Sequence, residues 1–205
     1  MKFTVLMGSP RLQGNTATLC RPFLEELRAC GAQVRYVTLA DKRILPCRGC
    51  YVCQNVQDEY GCVLHDDMSP IVEYLLWSDC IVLAAPIYTW YCPTAMKLVL
   101  DRHYGLNKFY GSVRGSLWAG KRLALLLTHG YEREYATQPF LLGIQRFCEH
   151  SRLHYGGMYS VQDTDGPEVF CSQEAERGAR AFARTLFGAC TAEQTADGSD
   201  GQEKN

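Results

Sequence analysis

The chain has 205 residues, 47% hydrophobic and 21% charged, a composition that suits one globular domain with a full core. Lys and Arg number 21 against 22 Asp and Glu, a formal net charge of −1, so nothing points to nucleic acid or to an anionic membrane surface. The longest apolar run, "CIVLAAPIY" at residues 80–88, is far too short to span a bilayer.

"MKFTVLMGSPR" at the N-terminus has one lysine and a very brief apolar segment, and reads as a first strand over residues 2–9, not a signal peptide. A cytoplasmic setting is therefore expected, with reduced thiols. Eleven cysteines, an odd number, also argue against a disulfide framework. Leu19, Cys20, Phe23, Leu24, Leu27 and Cys30 recur at helical spacing over residues 16–30, with Asn15 as N-cap, Gly31 as stop and Pro22 expected to kink the helix. A second strand covers residues 33–40. The segment "CRGCYVCQNVQDEYGC" follows, and then a helix over residues 65–79 capped by Asp66 or Asp67.

Residues 80–88 form an all-apolar, central third strand, and residues 94–110 read as helical. A fourth strand at 121–130, a helix at 138–153, a short fifth strand at 156–161 and a last helix at 172–187 complete the pattern. Ser172 and Glu176 stand near a capping arrangement. Five strands alternating with helices call for a three-layer α/β domain, a parallel sheet covered on both faces. The domain is expected to fill residues 1–188, and the polar residues 189–205 to be a disordered tail.

In such a sheet, ligands bind beyond the carboxyl ends of the strands. The first strand-to-helix loop, "GSPRLQGNTATL" at residues 8–19, ends on a helix N-terminus, where free N–H groups and the dipole favour an anion. Ser9, Asn15 and Thr16 add donors, Arg11 adds a guanidinium, and Gly8 and Gly14 let the backbone turn tightly. The loop is neither G-x-G-x-x-G nor G-x-x-x-x-G-K-[ST], so a monophosphate such as that of FMN fits better than a dinucleotide or a nucleoside triphosphate.

"GSPR…GNT" after the first strand resembles the phosphate loop of flavodoxin-like NAD(P)H-dependent FMN reductases, and "AAPIYTWYCPTAMKLVLDR" at residues 84–102 resembles their second signature, beside the flavin. The cysteine segment with Asp66, Asp67 and Met68 is similar to the iron–sulfur flavoprotein subgroup. The resemblance covers roughly residues 2–187. It implies a flavodoxin-like fold with sheet order 2-1-3-4-5. It also implies that Ser9, Arg11, Asn15 and Thr16 hold the FMN phosphate, and that Pro86, Ile87, Tyr88, Thr89 and Trp90 line the isoalloxazine ring. Thr128, His129, Gly130 and Tyr131 would cover another side. No catalytic side chain is implied, because hydride transfer from a nicotinamide to a flavin needs stacking and orientation more than an acid or base. A homodimer or homotetramer is implied as well.

Cys47, Cys50 and Cys53 form C-x-x-C-x-x-C, and eight residues separate Cys53 from Cys62. Four thiolates can hold a [4Fe-4S] cluster, as the resemblance implies, or a structural zinc. They can also be ordinary thiols packed as small hydrophobes. The function expected is an FMN oxidoreductase that passes electrons from NAD(P)H or a reduced protein to a quinone, nitro compound, flavin, metal ion or oxygen. Its rivals are an iron–sulfur electron carrier between ferredoxin and an acceptor, and a zinc-binding interaction module.

Overall fold

A computed structural model describes residues 1–164 and 166–199, with side chains through residue 192. The strands are β1 (Lys2–Met7), β2 (Gln33–Thr38), β3 (Cys80–Pro86), β4 (Asn107–Lys108), β5 (Gly115–Ser116), β6 (Arg122–His129) and β7 (His154–Gln162). The helices are α1 (Asn15–Ala29), α2 (Met68–Trp77), α3 (Thr94–Asp101), α4 (Arg133–Ser151) and α5 (Gln173–Ser199). One five-stranded sheet has order β2-β1-β3-β6-β7, every pairing parallel. With β6 and β7 as the fourth and fifth sheet strands, this is the 2-1-3-4-5 order. β4 and β5 form a separate two-residue antiparallel ribbon.

The near-continuous apolar strands serve two cores, as strand periodicity requires. Phe3, Val5, Met7, Val82, Ala84, Ala124 and Leu126 pack towards α1 and α5. Leu6, Ile81, Leu83, Ala85, Leu123, Leu125 and Leu127 pack towards α2, α3 and α4. Ala175, Ala179 and Ala183 follow at four-residue spacing, so α5 presents a face without bulk to the core. Exposed pairs from Arg180 to Glu25 and from Arg184 to Glu26 flank this contact and add little.

Several element ends differ from the sequence reading. Gly14, not Asn15, occupies the N-cap of α1, and the helix runs unbroken through buried Pro22. At α2 the N-cap position is Asp67, but the Asp66 carboxylate takes the Met68 N–H. β2 stops at Thr38, and α4 begins at Arg133, five residues earlier than periodicity suggests. Ser172 Oγ accepts from the Ala175 N–H at the start of α5, as expected of a cap. That helix continues to Ser199, past the boundary expected at residue 188, while residues 200–205 of the expected tail lie outside the described residues.

The helix expected over residues 94–110 ends at Asp101, for a steric and a polar reason. Gly105 lies against Tyr60, where a Cβ would come within 2.2 Å of the ring. Asn107 is fully buried, and its amide serves Ser151 Oγ (2.8 Å), Trp118 Nε1 (2.8 Å) and Ser116 Oγ (3.1 Å). The chain therefore tightens into a 3-10 turn at Arg102–Gly105 and leaves the helix.

The alanine face of α5 gives a direct test. Ala179→Leu inserts three carbons where no space exists and should cost about 1–3 kcal/mol, seen as a lower urea midpoint at unchanged m-value.

Candidate functional site

Three strand ends meet at the carboxyl edge of the sheet. Beyond β1, the Gly8 N–H bonds Ala84 O at 2.8 Å, and a Cβ on Gly8 would sit 3.0 Å from Met96 Cβ. Buried Ser9 folds the loop: its Oγ accepts from the Arg11 N–H and donates to Arg11 O, both at 3.2 Å. The Gly14 N–H closes the turn on Arg11 O at 3.2 Å. No side chain caps α1, and the N–H groups of Asn15, Thr16 and Ala17 have no protein acceptor among the described residues. A fifteen-residue helix thus presents free donors and its positive end to the pocket.

Beyond β3, the Ile87 N–H bonds Thr128 O at 2.8 Å. Tyr88 and Tyr91 then exchange backbone bonds of 2.8 and 2.9 Å around a two-residue turn. Thr89 (φ 50°) and Trp90 (φ 59°) both lie in the left-handed region, which costs these non-glycine residues on the order of 1 kcal/mol each. The turn carries Trp90 outward, where it stacks on Tyr131 (centroids 6.4 Å apart, planes 5° apart) and meets Tyr135 edge-on. Tyr88, Trp90, Tyr131 and Tyr135 are all exposed.

One pocket is lined by Ser9, Arg11, Asn15, Thr16, Pro86, Ile87, Tyr88, Thr128, His129 and Gly130 together with Asp163 and Phe170. A neighbouring pocket, sharing Ile87, His129 and Gly130, adds Thr89, Trp90 and Tyr131. Gly14 lines neither and acts through the turn. Thr16 and Thr128 join the first turn of α1 to β6 by a 2.8 Å hydroxyl bond. His129 is buried: Nδ1 lies 2.7 Å from Tyr131 O and Nε2 3.3 Å from Ser160 Oγ. Burial pushes its pKa below the usual histidine value, against the pull of the Tyr131 carbonyl.

Sequence reasoning missed Asp163 and Phe170. Asp163 follows β7 directly, so the strand-end rule applied to the fifth strand would have found it. Its Oδ2 accepts from Asn15 Nδ2 at 3.0 Å, which turns Asn15 from a helix cap into a bridge across the pocket. Phe170 comes from the 3-10 turn Pro167–Cys171 and has no local signal.

The four cysteines line a second cavity with Tyr51, Gln54, Leu64, Arg102 and Tyr104. All are free thiols. Cys47 and Cys50 are exposed, Cys53 and Cys62 partly buried, and burial pushes the Cys53 thiol up. Among the described residues no three His, Cys, Asp or Glu side chains stand in metal-ligating geometry. The cavity wall is held by buried polar groups. Arg102 reaches Asp66 at 2.7 Å, Leu45 O at 2.9 Å and Cys62 Sγ at 3.3 Å. Burial works against the Asp66 carboxylate, but bonds from Arg102, Leu45 and Met68 outweigh it and hold the carboxyl below its usual range. Gln54, fully buried, bonds the Tyr104 and Asn107 carbonyls and accepts from the N–H groups of Phe109 and Tyr110.

Known proteins resemble this chain in sequence and in fold. An iron-sulfur flavoprotein of Methanocaldococcus jannaschii is 34% identical over 102 residues, 50% of this chain and 51% of that protein. One from Methanosarcina thermophila is 28% identical over 163 residues, 80% of this chain and 78% of that protein. The chain thus spans about half the length of the first relative and more of the second. Among solved structures, an NAD(P)H:quinone oxidoreductase from Methanothermobacter marburgensis superposes with TM-score 0.69 at 19% identity, over 91% of this chain and 96% of that one. An FMN-dependent NADH-azoreductase from Bacillus anthracis, in complex with FMN, gives 0.66 at 15%, over 90% and 98%. These two likenesses establish the shared fold. A model of the NADPH-dependent FMN reductase family matches residues 1–148, and the chain belongs to that family.

Proposed function

We propose that the chain is an FMN oxidoreductase that takes electrons from NAD(P)H or a reduced protein and delivers them to a small acceptor such as a quinone, nitro compound, flavin, metal ion or oxygen. The observation that carries this reading is the uncapped start of α1, facing an aromatic-lined pocket across the ends of β1, β3 and β6. The free N–H groups of residues 15–17, with Arg11 and the Thr16 hydroxyl, suit a phosphate monoester. Pro86 to Trp90 and Thr128 to Gly130 supply backbone and flat apolar surface for a ring. Bound FMN would supply the redox chemistry; the protein binds, orients and shields.

His129 serves as a strut and not as a proton donor. Both ring nitrogens are engaged and burial favours the neutral form. Exposed Trp90 and Tyr131 leave one side of the pocket open to a flat acceptor or a nicotinamide.

A second reading, an iron–sulfur electron carrier, is supported by four free thiols on one cavity and by the names of the curated relatives. Four thiols lining one cavity are the donor set of an iron–sulfur cluster or a zinc ion, and exposed Cys47 and Cys50 would have to close in to ligate, since no three of the four stand in ligating geometry. A bound cluster would supply one-electron transfer.

The deciding measurement is the visible spectrum of anaerobically purified protein, with iron, zinc and acid-labile sulfide counted on the same sample. Flavin with about four iron per chain supports the cluster; flavin without iron or zinc leaves a plain FMN reductase; no flavin after reconstitution ends the proposal. Arg11→Ala should weaken FMN by about tenfold or more, the worth of one charged hydrogen bond, and leave riboflavin unaffected in the same titration.

A pH effect follows from His129 and from His103, whose pKa burial likewise lowers. Below about pH 6.5, the ordinary histidine value, the unfolded chain takes up protons that the folded chain resists, so stability falls as pH falls. Urea midpoints from pH 7.5 to 5.5 should decline, and less steeply in His129→Asn. An unchanged slope in that variant would contradict the strut role.

A further inference from the structure

Lys108, in β4, is only 1% exposed. Its Nζ donates to Cys53 O at 2.7 Å and Tyr60 O at 3.3 Å, and no carboxylate comes within ion-pair distance among the described residues. Burial lowers its pKa, and Cys53, Cys62 and exposed Glu59 oppose that shift only at longer range. An ammonium has three donors, and these carbonyls use two. A buried cation without an anion is strongly unfavourable, and such groups are normally paired or replaced.

The neighbouring charges do not remove the imbalance. Arg102 and Asp66 are both buried and neutralise each other at 2.7 Å, yet Arg102 Nη2 still lies 3.3 Å from Cys62 Sγ. In its protonated form Lys108 therefore adds one positive charge with no carboxylate partner, attached to the backbone of Cys53, whose side chain lines the four-cysteine cavity. Holding two carbonyls together needs only hydrogen-bond donors, which a neutral amide also provides. The charge has a use only if the cavity holds an anion.

We propose that Lys108 is the built-in countercharge of an anionic tetrathiolate centre held by Cys47, Cys50, Cys53 and Cys62. This rests on the reading that the four cysteines bind a metal centre. Four thiolates around zinc, or around an oxidised [4Fe-4S] cubane, leave a dianion, and one-electron reduction of the cubane adds a further negative charge. A fixed cation beside it favours both assembly and the reduced state, and it penalises the metal-free chain.

That sign reversal is the test. Lys108→Gln keeps donors for both carbonyls and removes the charge; Lys108→Arg keeps the charge. Full-length protein carrying FMN is reconstituted anaerobically with ferrous iron and sulfide, its iron counted, and its cluster titrated with dithionite. Chelator extraction and the thermal midpoint of the metal-free form complete the set.

Lys108→Gln should raise the metal-free thermal midpoint. In the loaded protein it should shed iron to bathophenanthroline disulfonate roughly tenfold faster and shift the cluster's redox equilibrium about tenfold towards oxidation, which is about 59 mV downward for one electron. Lys108→Arg should restore both. Equal potential and iron retention in a fully loaded Lys108→Gln would make Lys108 a strut and overturn the proposal while leaving the metal site intact. Lys108→Gln and Lys108→Met both failing to fold without metal would show that the ammonium serves the fold, and would overturn it too. A wild-type chain that takes up neither iron nor zinc would sink the metal reading itself, an outcome told apart by the metal count alone.

Discussion

Everything at the functional edge depends on β1, β3 and β6 being buried on both faces. Short of their carboxyl ends the only polar side chains on these strands are Lys2 and Arg122 at the starts and buried Thr4, so the pocket-lining polar residues appear together where the strands stop. The sheet also fixes how each loop departs. The Gly8, Ile87 and Asp163 N–H groups bond Ala84 O, Thr128 O and His129 O at 2.8, 2.8 and 2.7 Å, each reaching the neighbouring strand's end. Three loops thus leave the edge in register, and their side chains converge without needing rigid loops of their own.

The cysteine segment is built on the opposite principle. Between β2 and α2 its only regular element is the 3-10 turn Val52–Asn55. It is held by four buried polar side chains: Gln54 and Asp66 from the segment itself, Arg102 and Lys108 from the chain after α3. Such bonds are directional and costly to leave unmade, so they position a loop as firmly as a strand would. The same low dielectric makes each unpaired charge conspicuous.

This contrast explains what could be read from the sequence. Strand positions, two-sided burial and the donor-rich β1–α1 loop follow from hydrophobic periodicity and from the placing of small and polar residues, which are local signals, whereas the strand order was implied by the family resemblance. Ser9, Arg11, Asn15 and Thr16 do gather at one pocket with Pro86, Ile87 and Tyr88. Asn15 was misread as a cap because its true partner, Asp163, is 148 residues away. The end of α3 was misread because the cause is Asn107, whose partners lie on β5, at Trp118 and at the end of α4. Arg102 looked like part of a flavin signature, yet its side chain serves the cysteine cavity. Long-range polar pairing leaves no period in the sequence.

The misread helix is also what joins the two sites. α3 starts just after the Tyr88–Tyr91 turn and ends at Asp101, immediately before Arg102, so that turn and the cysteine cavity lie at its two ends. Eight residues at 1.5 Å each give a span of about 12 Å. Its buried face touches the third element of the site as well, since Met96 packs against Gly8 at the head of the phosphate loop. The separation of the β1–α1 loop, the Tyr88–Tyr91 turn and the thiols is therefore set by helical rise and core packing, with Cys47 and Cys50 at the exposed rim of the cavity.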